Sequence, residues 1–202
     1  MKKMLLAIFS AMLLAANANA SIDAKGAENF VKNVTKEGIE DIINANVSKE
    51  EKDARFYKLF NENLDLTKIG QFVLGRYWRG ATAEQRKDFI NVYRELNIKT
   101  WSARFDEFKG KEFVFEGTSS LNSKNSQNQV FVNTSVPMDN AAPAKVVWRV
   151  EEKGGKYKVV DIIIENVSLA ISARNEYNSY IQKSPDGLNG LIKSLQTKLK
   201  TM

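Results

Sequence analysis

Few residues in this 202-residue chain could do chemistry, and Asp161 is the first of them. It lies within Val159-Val160-Asp161-Ile162-Ile163-Ile164, a run that is apolar on both sides, where a carboxylate is costly unless it is hydrogen-bonded or paired. As a general base, Asp161 would suit proton abstraction next to a carbonyl in a hydrophobic substrate. As a structural group, it would pair with Arg76, Arg79 or Arg149, or accept backbone N–H groups at a helix end. Sequence spacing places no second acid, base or oxyanion donor beside it. The chain has no histidine and no cysteine, which removes the usual zinc and copper ligands, the commonest general base, thiolate chemistry and disulfides. A serine triad or metallohydrolase is nearly excluded, and no cofactor or metal is expected. Gly75-Arg76-Tyr77-Trp78-Arg79-Gly80-Ala81-Thr82 has the glycines and cations of a phosphate-cradling loop but lacks a preceding strand and a Lys-Ser/Thr ending. Tyr77 and Trp78 read better as aromatics packing a helix junction, with either arginine free to meet a phosphate or a carboxylate.

The elements that must position such groups begin with Thr82 to Phe108. Phe89, Tyr93, Leu96, Trp101, Phe105 and Phe108 fall within one arc at 3.6 residues per turn, and the charged residues take other angles. The spacing predicts one long helix whose wide aromatic side is either core or the wall of an apolar cavity. Ahead of it, Ala27, Phe30, Val31, Val34, Ile39, Ile42 and Ile43 recur at helical spacing over 23–46. Ser48 with Glu51 offers a capping box for a second helix carrying Phe56, Tyr57, Phe60 and Leu64. Asp65 caps a shorter third helix to about Gly75, and Thr82 with Gln85 forms another capping box.

Beyond Gly110 the period changes from 3.6 to 2. Strands are expected over 111–116, 130–136, 144–151 and 157–165, with a Ser/Asn-rich turn at 119–128, a break from Pro137 to Pro143 and a tight hairpin at Gly154-Gly155. Two helices follow, over about 168–183 and from Leu188 to Leu199, separated at Ser184-Pro185. Helices, then a four-stranded antiparallel meander, then helices spell an α+β fold.

Lys2 and Lys3, the apolar run Met4 to Ala16, and Ala18-Asn19-Ala20 make a secretory signal cleaved after Ala20. The domain reading is a signal peptide at 1–20 and a single domain at 21–202, helical over 21–109, sheet over 110–166 and helical again over 167–202. Cleavage removes two lysines and no acid, taking the formal net charge from +6 to +4. With no arginine cluster among exposed aromatics, nucleic acid is not an expected partner. A scattered basic excess suits transient proximity to an anionic membrane surface.

Two groups of segments carry a family resemblance. One is Val73-Leu74-Gly75-Arg76-Tyr77-Trp78-Arg79 with Ala81-Thr82 and Glu84-Gln85, leading into Phe89 and Tyr93. The other is Trp148-Arg149-Val150, Tyr157-Lys158-Val159-Val160-Asp161-Ile162, Glu165-Asn166-Val167-Ser168-Leu169 and Arg174. In this order they resemble the MlaC family of periplasmic phospholipid-binding proteins, across nearly the whole chain after the signal. The family typically has glycine where Asn166 stands, and often Asn-Tyr-Arg where Ser172-Ala173-Arg174 stands. The resemblance implies helices packed on a strongly curved four-stranded antiparallel sheet, NTF2-like, enclosing an apolar pocket. It implies a soluble periplasmic carrier of phospholipid, not an enzyme, moving lipid between an inner-membrane ABC lipid-transporter complex and an outer-membrane lipoprotein complex. Expected tail contacts are Phe72, Val73, Tyr93, Leu96, Trp101, Val132, Trp148, Val150, Val160, Ile162, Ile164 and Val167. The alternative is an NTF2-like enzyme acting on a hydrophobic substrate with Asp161 as general base.

Overall fold

In the computed structural model, which describes residues 22–120 and 128–202, the helix expected over 23–46 starts at Asp23, whose carboxylate accepts from the Lys25 N–H at 3.1 Å. The signal segment 1–20 and most of the Ser/Asn-rich turn lie outside the described residues. Helix α1 (Ala24–Lys36) runs directly into a π-helical segment, Glu37–Ile43, where the Asn44 N–H reaches back five residues to the Ile39 carbonyl at 2.8 Å. The wider winding brings Ile39, Ile42 and Ile43 to the buried side. Short π segments occur often at functional sites.

Ser48 caps α2 (Lys49–Asn63) by accepting from the Glu51 N–H at 3.2 Å. Glu51 does not return the bond; its carboxylate takes the Arg55 guanidinium at 2.8 Å, so the expected capping box is only half made. Asp65 starts α3 (Leu66–Leu74), and Gly75 turns the chain at φ +53 into α4 (Arg76–Gly80). The positive φ calls for glycine here, and the Arg174 guanidinium packs closely against it, its atoms 3.0–3.5 Å from where a Cβ would stand. Thr82 and Gln85 form both arms of a capping box at the head of α5 (Ala83–Ser102). The single helix expected to Phe108 is in fact two, because the chain turns at Ala103-Arg104 before a four-residue α6 (Phe105–Phe108).

The sheet has five strands in the order β1-β2-β3-β4-β5, every neighbouring pair antiparallel. They are β1 (Val114–Ser120), β2 (Gln129–Met138), β3 (Ala141–Lys153), β4 (Lys156–Ile164) and β5 (Val167–Ser168). The expected count of four is corrected by β5, a two-residue strand too short to show an alternating pattern. Glu165 and Asn166 both take left-handed φ (48° and 64°), which folds Val167 back against Ile164. Asparagine is one of the few side chains that tolerate this conformation, so Asn166 fills a glycine's place. The expected break at 137–143 is a hairpin instead. Both prolines sit where the register shifts between Val136 and Met138, a bulge that needs no ladder N–H from them. Gly154 and Gly155 make the two-residue turn at positive φ. Helices α7 (Leu169–Lys183) and α8 (Gly187–Thr201) close the chain.

Among the described residues the two largest of four bodies of core lie between the helices and on the sheet. Phe89, Tyr93 and Leu96 of α5 pack with Val73 and Leu74 of α3, Tyr177 and Ile181 of α7, and Leu191 and Leu195 of α8. Phe89 stacks on Tyr93 at 5.6 Å, and Tyr177 meets both edge-on at 6.1 and 6.3 Å. On the sheet, Ala27 and Val31 of α1 cover Val130, Val132 and Val150. Among the described residues, no helix is long and apolar enough to cross a membrane.

Candidate functional site

Where α1 passes into the π segment, the helices stand off the sheet and leave a cavity of about 170 Å³. Val34, Thr35, Gly38, Ile39 and Ile43 form its roof, and Phe56, Leu59, Phe60 and Leu64 form the α2 side. Val146 and Trp148 of β3 and Ile162 and Ile164 of β4 form the floor, with Trp101, Phe108 and Phe113 closing the end. The floor is a product of register: Val146 pairs with Ile164 and Trp148 with Ile162, so alternate residues of adjacent strands present one continuous apolar surface. Trp148 is held in place, its indole N–H donating to Thr134 Oγ1 at 3.1 Å, and that hydroxyl donates to the Val146 carbonyl at 2.6 Å. The one hydroxyl side chain in the wall, Thr35, donates back to the carbonyls of Val31 and Lys32 at 3.0 and 3.1 Å. Among the described residues the cavity therefore offers a guest hydrocarbon contact and no side-chain cation or carboxylate.

A second chamber, about 40 Å³, adjoins the first and shares Phe60, Leu64, Trp101 and Ile162 with it. Its far side carries Tyr93, Asn97, Asp161, Leu169 and Ala170. Asp161 is spoken for: Oδ2 accepts from the Ser168 hydroxyl at 2.6 Å and Oδ1 from the Ala170 N–H at 3.0 Å. Ser168 in turn accepts from the Ile171 N–H at 3.0 Å. This is the helix-end reading of Asp161, a carboxylate satisfying free N–H groups at the start of α7, where the helix dipole also favours negative charge.

Burial, reinforced by the Asp161 charge, pushes the Tyr93 phenol up to about 12, and burial raises Tyr177 in the same direction. The folded state therefore holds the Tyr93 proton more tightly than the unfolded chain, where tyrosine titrates near 10. The resulting stabilisation, about 2–3 kcal/mol, is complete below pH 10 and is lost as pH rises toward 12. Thermal melts at pH 8, 10 and 11 should show a steep alkaline loss, and Tyr93→Phe should make that loss shallower. Equal slopes for both proteins would contradict this assignment.

The family model for MlaC protein matches residues 31–197. The chain belongs to the MlaC family. Across 164 aligned residues it is 26% identical to the intermembrane phospholipid transport system binding protein MlaC of Haemophilus influenzae, covering 76% of this chain and 73% of that protein. Its fold is similar, at TM-score 0.75 and 21% identity, to a phospholipid-binding protein from Ralstonia solanacearum solved in complex with a phospholipid, covering 87% of this chain and 97% of the other. Both relatives are named for binding or transport of phospholipid, not for catalysis.

Of the residues that the MlaC resemblance singled out, the structure brings Trp101, Trp148, Ile162 and Ile164 to the main cavity. Tyr93 faces the small chamber. Val73 and Leu96 lie in the helical core, Val132 and Val150 lie under α1, and Val160 is buried in β4. Phe72 and Val167 are on the outside, 38% and 55% exposed, with the Arg174 guanidinium 5.0 Å from the Phe72 ring. Sequence reasoning recognised Val34, Ile39, Ile43, Phe56 and Phe60 as apolar helix faces without assigning them to a cavity. The available signal was the isoleucine stripe persisting past Lys36.

Proposed function

We propose that this chain is a periplasmic phospholipid carrier, exported with residues 1–20 removed, that holds acyl tail in the cavity between the π segment, α2 and the β3–β4 floor. The observation that carries this reading is that apolar wall, set in an MlaC-family fold. A diacyl phospholipid has about 30 methylenes, and at about 0.8 kcal/mol each their exposure would cost on the order of 20 kcal/mol or more. Free passage through water is thereby closed. Exchanging bilayer for a protein wall keeps most of that burial, so uptake and release need little net energy.

The cavity is close to the roughly 150 Å³ that admits one benzene and is smaller than the roughly 300–1,000 Å³ of drug-sized sites, so a full tail requires the walls to part. The floor is tied by strand pairing, whereas α2 buries only Leu59 and Phe60 of its 15 residues, which makes α2 the wall that yields. The headgroup stays outside, and direction comes from partners, an inner-membrane ABC lipid-transporter complex and an outer-membrane lipoprotein complex. Asp161 serves α7 with both oxygens, which favours this carrier over a general-base enzyme.

Organic extraction of the purified full-length product, followed by mass spectrometry, should yield phospholipid at about one molecule per protein. Extracts without phospholipid, from protein purified without detergent, would overturn the reading.

A further inference from the structure

The wall between the two chambers is made of four residues, Phe60, Leu64, Trp101 and Ile162, and two of these are tied to the sheet through the backbone. Leu64 is bridged to Val159 through the backbone. Ile162 is paired in the sheet with Trp148, and Phe60 is buried in the core with Leu66 and Ile98. Trp101 differs. It stands in the last turn of α5, just before the chain turns at Ala103-Arg104, and it is half-buried. Among the described residues its indole N–H has no hydrogen-bond partner, whereas that of Trp148 is anchored to Thr134. The exposed Arg104 guanidinium lies 5.8 Å from its ring.

We infer that Trp101 is the length gauge of the site: its indole stops the tip of an acyl chain at the end of the main cavity and closes off the small chamber beyond. The inference rests on the carrier reading above and adds a specificity-determining residue to it. The far chamber could take only the last few carbons of a chain, since it is bounded by Tyr93, Asn97 and Asp161 at the start of α7. Removing the indole joins the two spaces, and each further methylene then moves from water toward the apolar part of the far chamber, Ile69, Val159, Leu169 and Ala170.

The test uses the full chain and lysophosphatidylcholines of 12 to 18 carbons, measured by displacement of a fluorescent fatty acid. In the native protein, affinity should rise with chain length and then level off. In Trp101→Ala it should keep rising past that point, by about fourfold per added methylene. Trp101→Phe, which keeps a ring in the wall, should retain the plateau. Adding Ala170→Leu to Trp101→Ala fills the far chamber from α7 and should restore the plateau. If Trp101→Ala does not fold, Trp101→Leu supplies the same comparison with less loss of packing. Identical length profiles in the native protein and the folded variants would overturn the gauge and leave the carrier standing. Failure of the native protein to bind any chain would remove both.

Discussion

Ile164→Trp should yield a folded protein that carries at least about tenfold less phospholipid after purification than the native chain. Ile164 lies on the cavity floor, paired across the sheet with Val146 on one side and Val167 on the other, and is only half-buried because one flank faces the cavity. An indole there would occupy space that a tail needs. Overpacking costs typically about 1–3 kcal/mol, and each kcal/mol shifts the melting midpoint of a chain this size by about 2–4 °C, so the fold should survive with a modest fall in Tm. Val146→Phe approaches the same space from the neighbouring strand and should deplete lipid as well. Organic extraction and mass spectrometry read the effect directly. Full lipid occupancy in both variants would show that the tail lies elsewhere.

Asp161→Ala should lower stability by about 3 kcal/mol while the folded fraction still carries lipid. The substitution removes a charged acceptor from the Ser168 hydroxyl and from the Ala170 N–H, hydrogen bonds to charged groups being worth about 1.5–3 kcal/mol each before relaxation. It also removes negative charge from the first turn of α7, a further 0.3–1 kcal/mol or so. The expected loss is about 6–12 °C in Tm. Asp161→Asn keeps one acceptor and should lose less. Normal stability in Asp161→Ala, with lipid binding abolished, would return Asp161 to a role at the ligand and refute the structural one.

Local chemistry was the part of the fold most plainly written in the residues. Thr82 and Gln85 announce the start of α5, Asp65 that of α3 and Gly154-Gly155 the last long hairpin, because each rests on contacts within a few positions. Tertiary relations were less legible. The stripe from Phe89 to Phe108 has one helical phase in sequence, yet Phe89, Tyr93 and Leu96 meet α7 and α8 while Trp101 meets the cavity. Periodicity shows which side of a helix is apolar but not which neighbour covers each turn. For the same reason the sequence alone does not assign Ile39, Ile43 and Leu59 to the site: their place depends on how far the π segment stands from the sheet. Strand β5 is not legible in the sequence because two residues carry no period, and its turn uses Glu165 and Asn166 where a glycine would signal it.

The hydroxyl of Thr35 is turned back onto its own helix, and that detail bears on how cargo enters and leaves. On the carrier reading, with no directional bond from the described residues reaching into the main cavity, the grip on a tail is the same at every carbon held there. Threading then proceeds by slippage, one methylene replacing the next, with no anchoring contact to break before departure. On the carrier reading such a sleeve takes no account of what the polymethylene is attached to, so among lipids of one tail length the headgroups carried should mirror those of the leaflet that supplied them.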